Sequence, residues 1–251
     1  MAGEAKTSKF MLGTATVMLG PVAELYNLTP ETHSIGLVKN FRIQSQPGYT
    51  DLTQGVKSTK VFSVMTSNEV TASAEVYEYT TANIMYSLGL EGRQAAAPAV
   101  TTVATAGTAA STTVALTSAT GIVAGDYIAI EMGGENVVIR KVVSLATNTA
   151  TVTPAISQAV PKDAVVRKVT AVSIGSKDDQ PFLAMKVVGK LADGTTVTIL
   201  CPKIRITNGF SLGFTSDNFD NLPYEMAFYD LVATDPHYAD FKNEQAKIFA
   251  A

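Results

Sequence analysis

Cysteine is nearly absent: Cys201 stands alone among 251 residues. That excludes an intramolecular disulfide framework and a cysteine-based zinc site. Its setting, VTILCPKI, is apolar, which favours a buried structural thiol over a nucleophile. Charge is scarce as well. Charged residues make up 16% of the chain, below the roughly 25% of an ordinary soluble domain. The surface is then either rich in Thr, Ser, Ala and Gly or covered in large part by other subunits. The net charge of −3 leaves no basic field to hold nucleic acid non-specifically. No run of eighteen apolar residues occurs, so no membrane-spanning helix and no membrane insertion by this chain are expected. The first residues, MAGEAKTSKF, lack the apolar core of a signal peptide. Synthesis in the cytoplasm is expected, and the NLT triplet at Asn27–Thr29 reads as a chance sequon.

Catalytic equipment is missing too. The two histidines, His33 and His237, fall in expected loops with no second histidine at ligand spacing. GxSxG, HExxH, the Walker A loop and GxGxxG do not occur. GTATVMLG at Gly13–Gly20 lacks the strand-to-helix setting that phosphate binding needs. The acidic clusters Lys177-Asp178-Asp179 and Asp217…Asp220 lack the ligand alternation of a calcium loop and read as solvated turns. Tyr77, Tyr79 and Tyr86 have no interleaved basic residues for base stacking. Packing across strands or a subunit contact is the better use for them. No catalytic, cofactor or metal site is expected, and the chain reads as a non-enzyme.

What is present is β-rich and punctuated by turns. Strands are expected at Phe10–Leu19 and Gly36–Gln44. In the second, Leu37, Phe41 and Ile43 share one face, and Asn40, Arg42 and Gln44 share the other. QPGYTDLTQGVKS, Gln46–Ser58, reads as a long loop, a kind that is usually functional or disordered. Val61–Met65 and Val70–Tyr79 follow as strands about a turn at Ser67-Asn68. In EVYEYTTANIMYSLGL, Thr80 or Thr81 caps a two-turn helix with Ile84, Met85 and Leu88 as its apolar stripe. Gly89 is placed to take the left-handed cap. So short a helix needs a sheet to pack on.

Gln94–Gly125 contains no charged residue, and its first half reads as a low-complexity linker. Strands then follow at Thr112–Leu116, Asp126–Glu131, Val137–Ser144, Ala150–Thr153 and Ala164–Val169. Gly133-Gly134 and Ala146–Thr149 mark their hairpins. Residues 96–168 therefore read as a small barrel or sandwich inserted into the outer domain, 1–95 with 169–251. The outer domain resumes with Thr170–Gly175, Phe182–Lys190, Thr195–Leu200 and Lys203–Phe214. In the last of these, Ile204, Ile206, Phe210, Leu212 and Phe214 face one way, and Lys203, Arg205, Thr207 and Ser211 the other. That gives a sheet with a wet side. Tyr224–Leu231 is the last strand, and a terminal helix is expected after Asp235.

The run EVTASAEVYEYTTANIMYSLG, a strand leading into a short helix of the form N-I-x-x-x-LG, resembles that of bacteriophage tail tube proteins. LPYEMAFYDLVATD resembles their closing strand. The likeness covers roughly residues 10–92 and 170–235, and the insert, with GDYIAIE at Gly125–Glu131, resembles small β-domains of phage virion proteins. The resemblance implies six-membered rings whose sheets join edge to edge into a barrel, stacked into a conduit for DNA. It implies a virion location and self-assembly, with a sheath or other tail proteins as partners and DNA only as passing cargo. On that reading Asn40, Arg42, Gln44, Lys203, Arg205 and Thr207 line the lumen, balanced by acids such as Glu225. Pro47, Gly48, Tyr49, Asp51 and Leu52 make the contact between rings, and the insert lies outside the tube. A virion decoration or adhesion module, a related secretion-system tube and an enzyme using His237 are the alternatives.

Overall fold

The computed structural model describes residues 15–54, 56, 58–88, 90, 98–172, 174–175, 180–208, 211, 213, 219–242 and 244–250. The chain is mainly β, with two antiparallel sheets, one of them curled into a half-barrel. It divides into two compact units, residues 1–94 with 174–251, and residues 95–173. In chain order the first unit has β1 (Thr16–Pro21), a 3-10 turn (Val22–Asn27), α1 (Pro30–His33), β2 (Val38–Gln54), β3 (Thr59–Val76) and α2 (Thr81–Ser87). The second unit holds β4 (Val100–Thr102), β5 (Ser111–Ala115), β6 (Tyr127–Glu131), β7 (Val137–Ala146), β8 (Thr149–Ile156) and β9 (Val165–Val169). The first unit then closes with β10 (Leu183–Lys190), β11 (Thr196–Ile206), β12 (Leu222–Phe228), α3 (Tyr238–Phe241) and β13 (Lys247–Ala250).

The sheet of the first unit runs β1-β10-β11-β12-β3-β2, and β13 adds to β11 beside β12. Both faces of this sheet are used. On one, Val17, Leu19, Ala72, Ala74, Val76, Ile204, Ile206, Tyr224 and Met226 pack into the main core with Tyr86 of α2. On the other, Met18, Ala184 and Leu200 are covered by Leu25, Leu28, Leu231 and Phe241. The covering stops at β11. Beyond it, the second face of β12, β3 and β2 carries Glu225, Thr71, Ser73, Glu75, Arg42 and Gln44, because strand alternation turns every second side chain away from the core.

α2 is anchored by polar groups more than by its apolar ones. Thr80 caps it, its side chain accepting from the Asn83 N–H at 3.1 Å. The deeply buried positions are Asn83, Tyr86 and Ser87, whereas Ile84, Met85 and Leu88 are half-buried. The expected stripe is thus rotated toward Asn83. Asn83 Nδ2 donates to the Ile35 carbonyl at 3.0 Å and the Glu78 carbonyl at 2.7 Å. Those bonds fix the helix above the sheet. Gly89 lies outside the described residues.

Several sequence expectations give way. The loop at Gln46–Ser58 is strand through Gln54, and the Ser67-Asn68 turn is strand within β3. Pro47 pairs opposite Asn68, and the two strands lend each other the ladder that neither signals alone. The terminal helix is four residues long and starts after His237, not Asp235; Lys247–Ala250 is strand because β11 offers it an edge. Thr195–Leu200 and Lys203–Ile206 are one strand running through Pro202. Thr170–Gly175 forms no strand among its described residues. Phe10–Gly13, Lys177-Asp178-Asp179, Phe210, Leu212, Phe214 and Asp217 lie outside the described residues.

In the second unit the sheet order is β4-β9-β6-β7-β8-β5, and a Val103–Leu116 bridge joins its two ends. Val114, Ile128, Ile130, Val142, Val152 and Val166 fill its interior. Part of the expected linker belongs here: Val100–Thr102 pairs with β9, and Gly107 bridges Val160. Gly133 and Gly134 take positive φ of 106° and 60°, which a side chain would resist, in the β6–β7 turn.

Candidate assembly surface

The polar face is a set of cross-strand rows. Residues paired across antiparallel strands point the same way. Thr207 lies opposite Glu225, its N–H donating to the Glu225 carbonyl at 2.8 Å, and Glu225 pairs Ser73, which pairs Arg42. In the next row, Arg205 pairs Ala227, Ala227 pairs Thr71, and Thr71 pairs Gln44. Lys39 pairs Glu75 beside them and sits over the Tyr77 ring at 4.7 Å. Arg42, Gln44, Arg205 and Thr207 therefore share one face, with Glu225 and Glu75 among them.

Asn40 and Lys203 do not fit that row. The β2–β3 register shifts between Lys39 and Arg42, and Asn40 has φ of 52°. The bulge leaves Asn40 unpaired and gives its place in the alternation to Lys39. Asparagine tolerates that left-handed backbone better than most residues. Lys203 is buried, donating to Asp235 at 2.6 Å with its ammonium 4.5 Å from the centre of the Phe182 ring. Arg205 stacks on the same ring at 4.2 Å. The bond from Lys203, then that from the Val232 N–H, holds the Asp235 carboxyl below the usual range. Alternation found the face; only packing shows that one of its cations is a structural ion pair.

The second feature is an arm. β12 pairs β3 only over Thr71–Val76, so Thr59–Val70 and its β2 partners run on as a two-stranded ribbon. At roughly 3.4 Å per residue the ribbon extends about 40 Å. Thr50 pairs Val64 and Leu52 pairs Phe62, which puts Leu52, Phe62 and Val64 on one face. Leu52 is 64% and Phe62 63% exposed. The opposite face carries Tyr49 and Met65, both exposed, then Asp51 bonded to Ser63 and ion-paired with Lys60. Lys60 and then Ser63 lower the Asp51 pKa. Register shifts after Gly48 and Leu52 add twist to the ribbon. Pro47, Gly48, Tyr49, Asp51 and Leu52 are all in this arm, in strand rather than loop. Val61–Met65, expected as a strand, has as its partner the segment expected as a loop, Tyr49–Leu52.

His237 lies in the left-handed region, with φ of 65°, and its ring meets Tyr26 edge-to-face at 4.9 Å. Cys201 is buried, and burial pushes its thiol up to about 12.

No known family profile matches this chain, and no curated protein matches it. Among solved structures it is similar in part to the Gp54 tailspike of Acinetobacter baumannii bacteriophage AP22, solved in complex with A. baumannii capsular saccharide. That likeness has 17% identity and a TM-score of 0.27, and covers 31% of this chain and 16% of the tailspike. The matched part is therefore a small fraction of the tailspike's length.

Proposed function

We propose that this chain is a structural virion protein whose copies polymerise into rings, and the rings into the tube of a phage tail. The observation that carries the proposal is the arm. Its apolar side chains have no cover among the described residues, and a two-stranded ribbon is marginally stable by itself in water. Large exposed apolar surface on a water-soluble fold marks an interaction site. Occupation by other copies supplies the missing cover. The polar rows support the same reading: basic Lys39 and Arg42 alternate with Glu75 and Glu225. Along a conduit, such mixing limits the phosphate contacts that would retard DNA. On this proposal DNA is cargo, a sheath or other tail proteins surround the tube, the role is not catalytic, and the second unit lies outside the lumen.

The test is negative-stain electron microscopy of the purified chain across a concentration series, with and without tail-initiating proteins. Stacked rings or hollow tubes of uniform width are expected. Closed oligomers that never stack would favour a decoration or adhesion module and overturn the tube.

A further inference from the structure

The free strand edges of the first unit are few, and their inventory shows how copies can join. β1 ends the sheet, but its outer edge is already occupied. The Val17 carbonyl accepts from the Ile35 N–H at 3.1 Å, Met18 bridges Ser34, and the Leu19 carbonyl accepts from the Tyr86 hydroxyl at 2.9 Å. A neighbouring strand would have to break those bonds, leaving buried polar groups unpaired. Joining of sheets through β1 is closed by this chain's own segment 34–35 and its helix α2.

Two regions of open edge remain among the described residues. One is the outer side of β2, which ends the sheet, from Val38 out into the arm, together with β3 before Thr71. The other is the far side of β13, which pairs β11 alone. β13 also exposes apolar side chains, Ile248 at 69% and Phe249 at 51%. An unpaired edge carrying apolar residues is a template for strand addition. Within one chain the two edges do not meet: the arm pairs only with itself, and β13 only with β11.

We propose that β13, Lys247–Ala250, is the receiving edge for the arm of a second copy. The arm lies against β13 by strand addition; Phe249 packs beside the arm's Leu52 and Phe62, and Ile248, one residue away and on the other face, packs beside Tyr49 and Met65. The inference rests on the ring reading above. A head-to-tail ring needs two different edges on each subunit, whereas arm-to-arm pairing gives a two-fold dimer. The arm and β13 are two different open edges that both carry exposed apolar side chains. Strand addition turns the isolated ribbon into a sheet of three or more strands, which is what its stability requires.

Cross-linking of the full chain tests this. Leu52→Cys and Phe249→Cys are made separately, mixed, and treated with a short bismaleimide. The native Cys201 is buried with a raised pKa, so the introduced thiols react. A cross-linked dimer at least tenfold more abundant in the mixture than in either variant alone is expected. Equal yield from Leu52→Cys alone would show arm-to-arm pairing and overturn the proposal. So would cross-linking within single chains of the double variant at every concentration, or no cross-link at all. A chain ending at Gln245 supplies the second arm of the test. It is expected to stay folded by circular dichroism, at a lower melting temperature because the β11 pairing is lost, and to lose assembly; unchanged assembly would overturn the proposal. Failure here is separable from failure of the tube reading. Tubes without the arm–β13 link sink only this inference. The link found in closed, non-stacking oligomers sinks the tube and leaves the link standing.

Discussion

Asn83 offers the sharpest check on what holds the first unit together. It is 2% exposed, and its side chain donates to two main-chain carbonyls, those of Ile35 and Glu78. Those carbonyls belong to the entry into β2 and the exit from β3, so one amide ties both ends of the hairpin to α2. Asn83→Leu keeps the volume and removes both donors. A buried acceptor left unpaired costs about 1–3 kcal/mol, and the Glu78 carbonyl, being partly solvated, falls at the low end. The expected loss is about 3 kcal/mol. For a domain of this size that lowers the melting temperature by roughly 6–12 °C. Circular dichroism and calorimetry on the monomer read it directly. The cap variant Thr80→Ala, which removes one bond at the exposed helix start, is expected to cost about 1 kcal/mol. If Asn83→Leu melts within 2 °C of the parent, the amide is not the anchor, and apolar packing of α2 holds the hairpin.

The remaining predictions concern charge, surface and thiol. Asp235 has a lowered pKa, so its bond to Lys203 stabilises the fold above the ordinary value of 3.8, and that contribution is lost as pH falls through the depressed folded value. Asp235→Asn is therefore expected to melt lower at neutral pH and to lose less stability than the parent on acidification below about pH 4; parallel acid profiles would refute the pairing. Phe62→Asp, on the exposed arm, is expected to leave monomer stability within about 0.5 kcal/mol and to abolish polymers; tubes that still form by electron microscopy would remove the arm from assembly. Cys201 is expected to resist an aromatic disulfide reagent in the native state and to react fully in denaturant, and rapid native labelling would contradict its burial.

Local chemistry was enough to read the class, the helix and one face of the sheet. Scarce glycine-bounded alternation of apolar residues gave strands, Thr80 gave the cap, and the period of two placed Arg42, Gln44, Arg205 and Thr207 on a common side. Alternation is a property of the strand itself, which is why it survives without knowledge of partners. What depends on a partner strand was not readable. Pro47-Gly48 looks like a turn until Ser67 and Asn68 stand opposite, and KIFA looks like the end of a helix until β11 presents an edge. The bulge at Asn40 removes one residue from its predicted face because register is a relation between two strands. Lys203 shows the same limit in charge: its sequence position says polar face, and only Asp235 and Phe182, brought from elsewhere in the chain, make it a buried pair. The blocked edge of β1 is likewise tertiary. The sequence by itself determined which residues could form strands and which side of each is apolar. Tertiary structure alone decided which edges remain open, because an edge is closed by a hydrogen bond from a distant segment, and no local pattern records that segment's arrival.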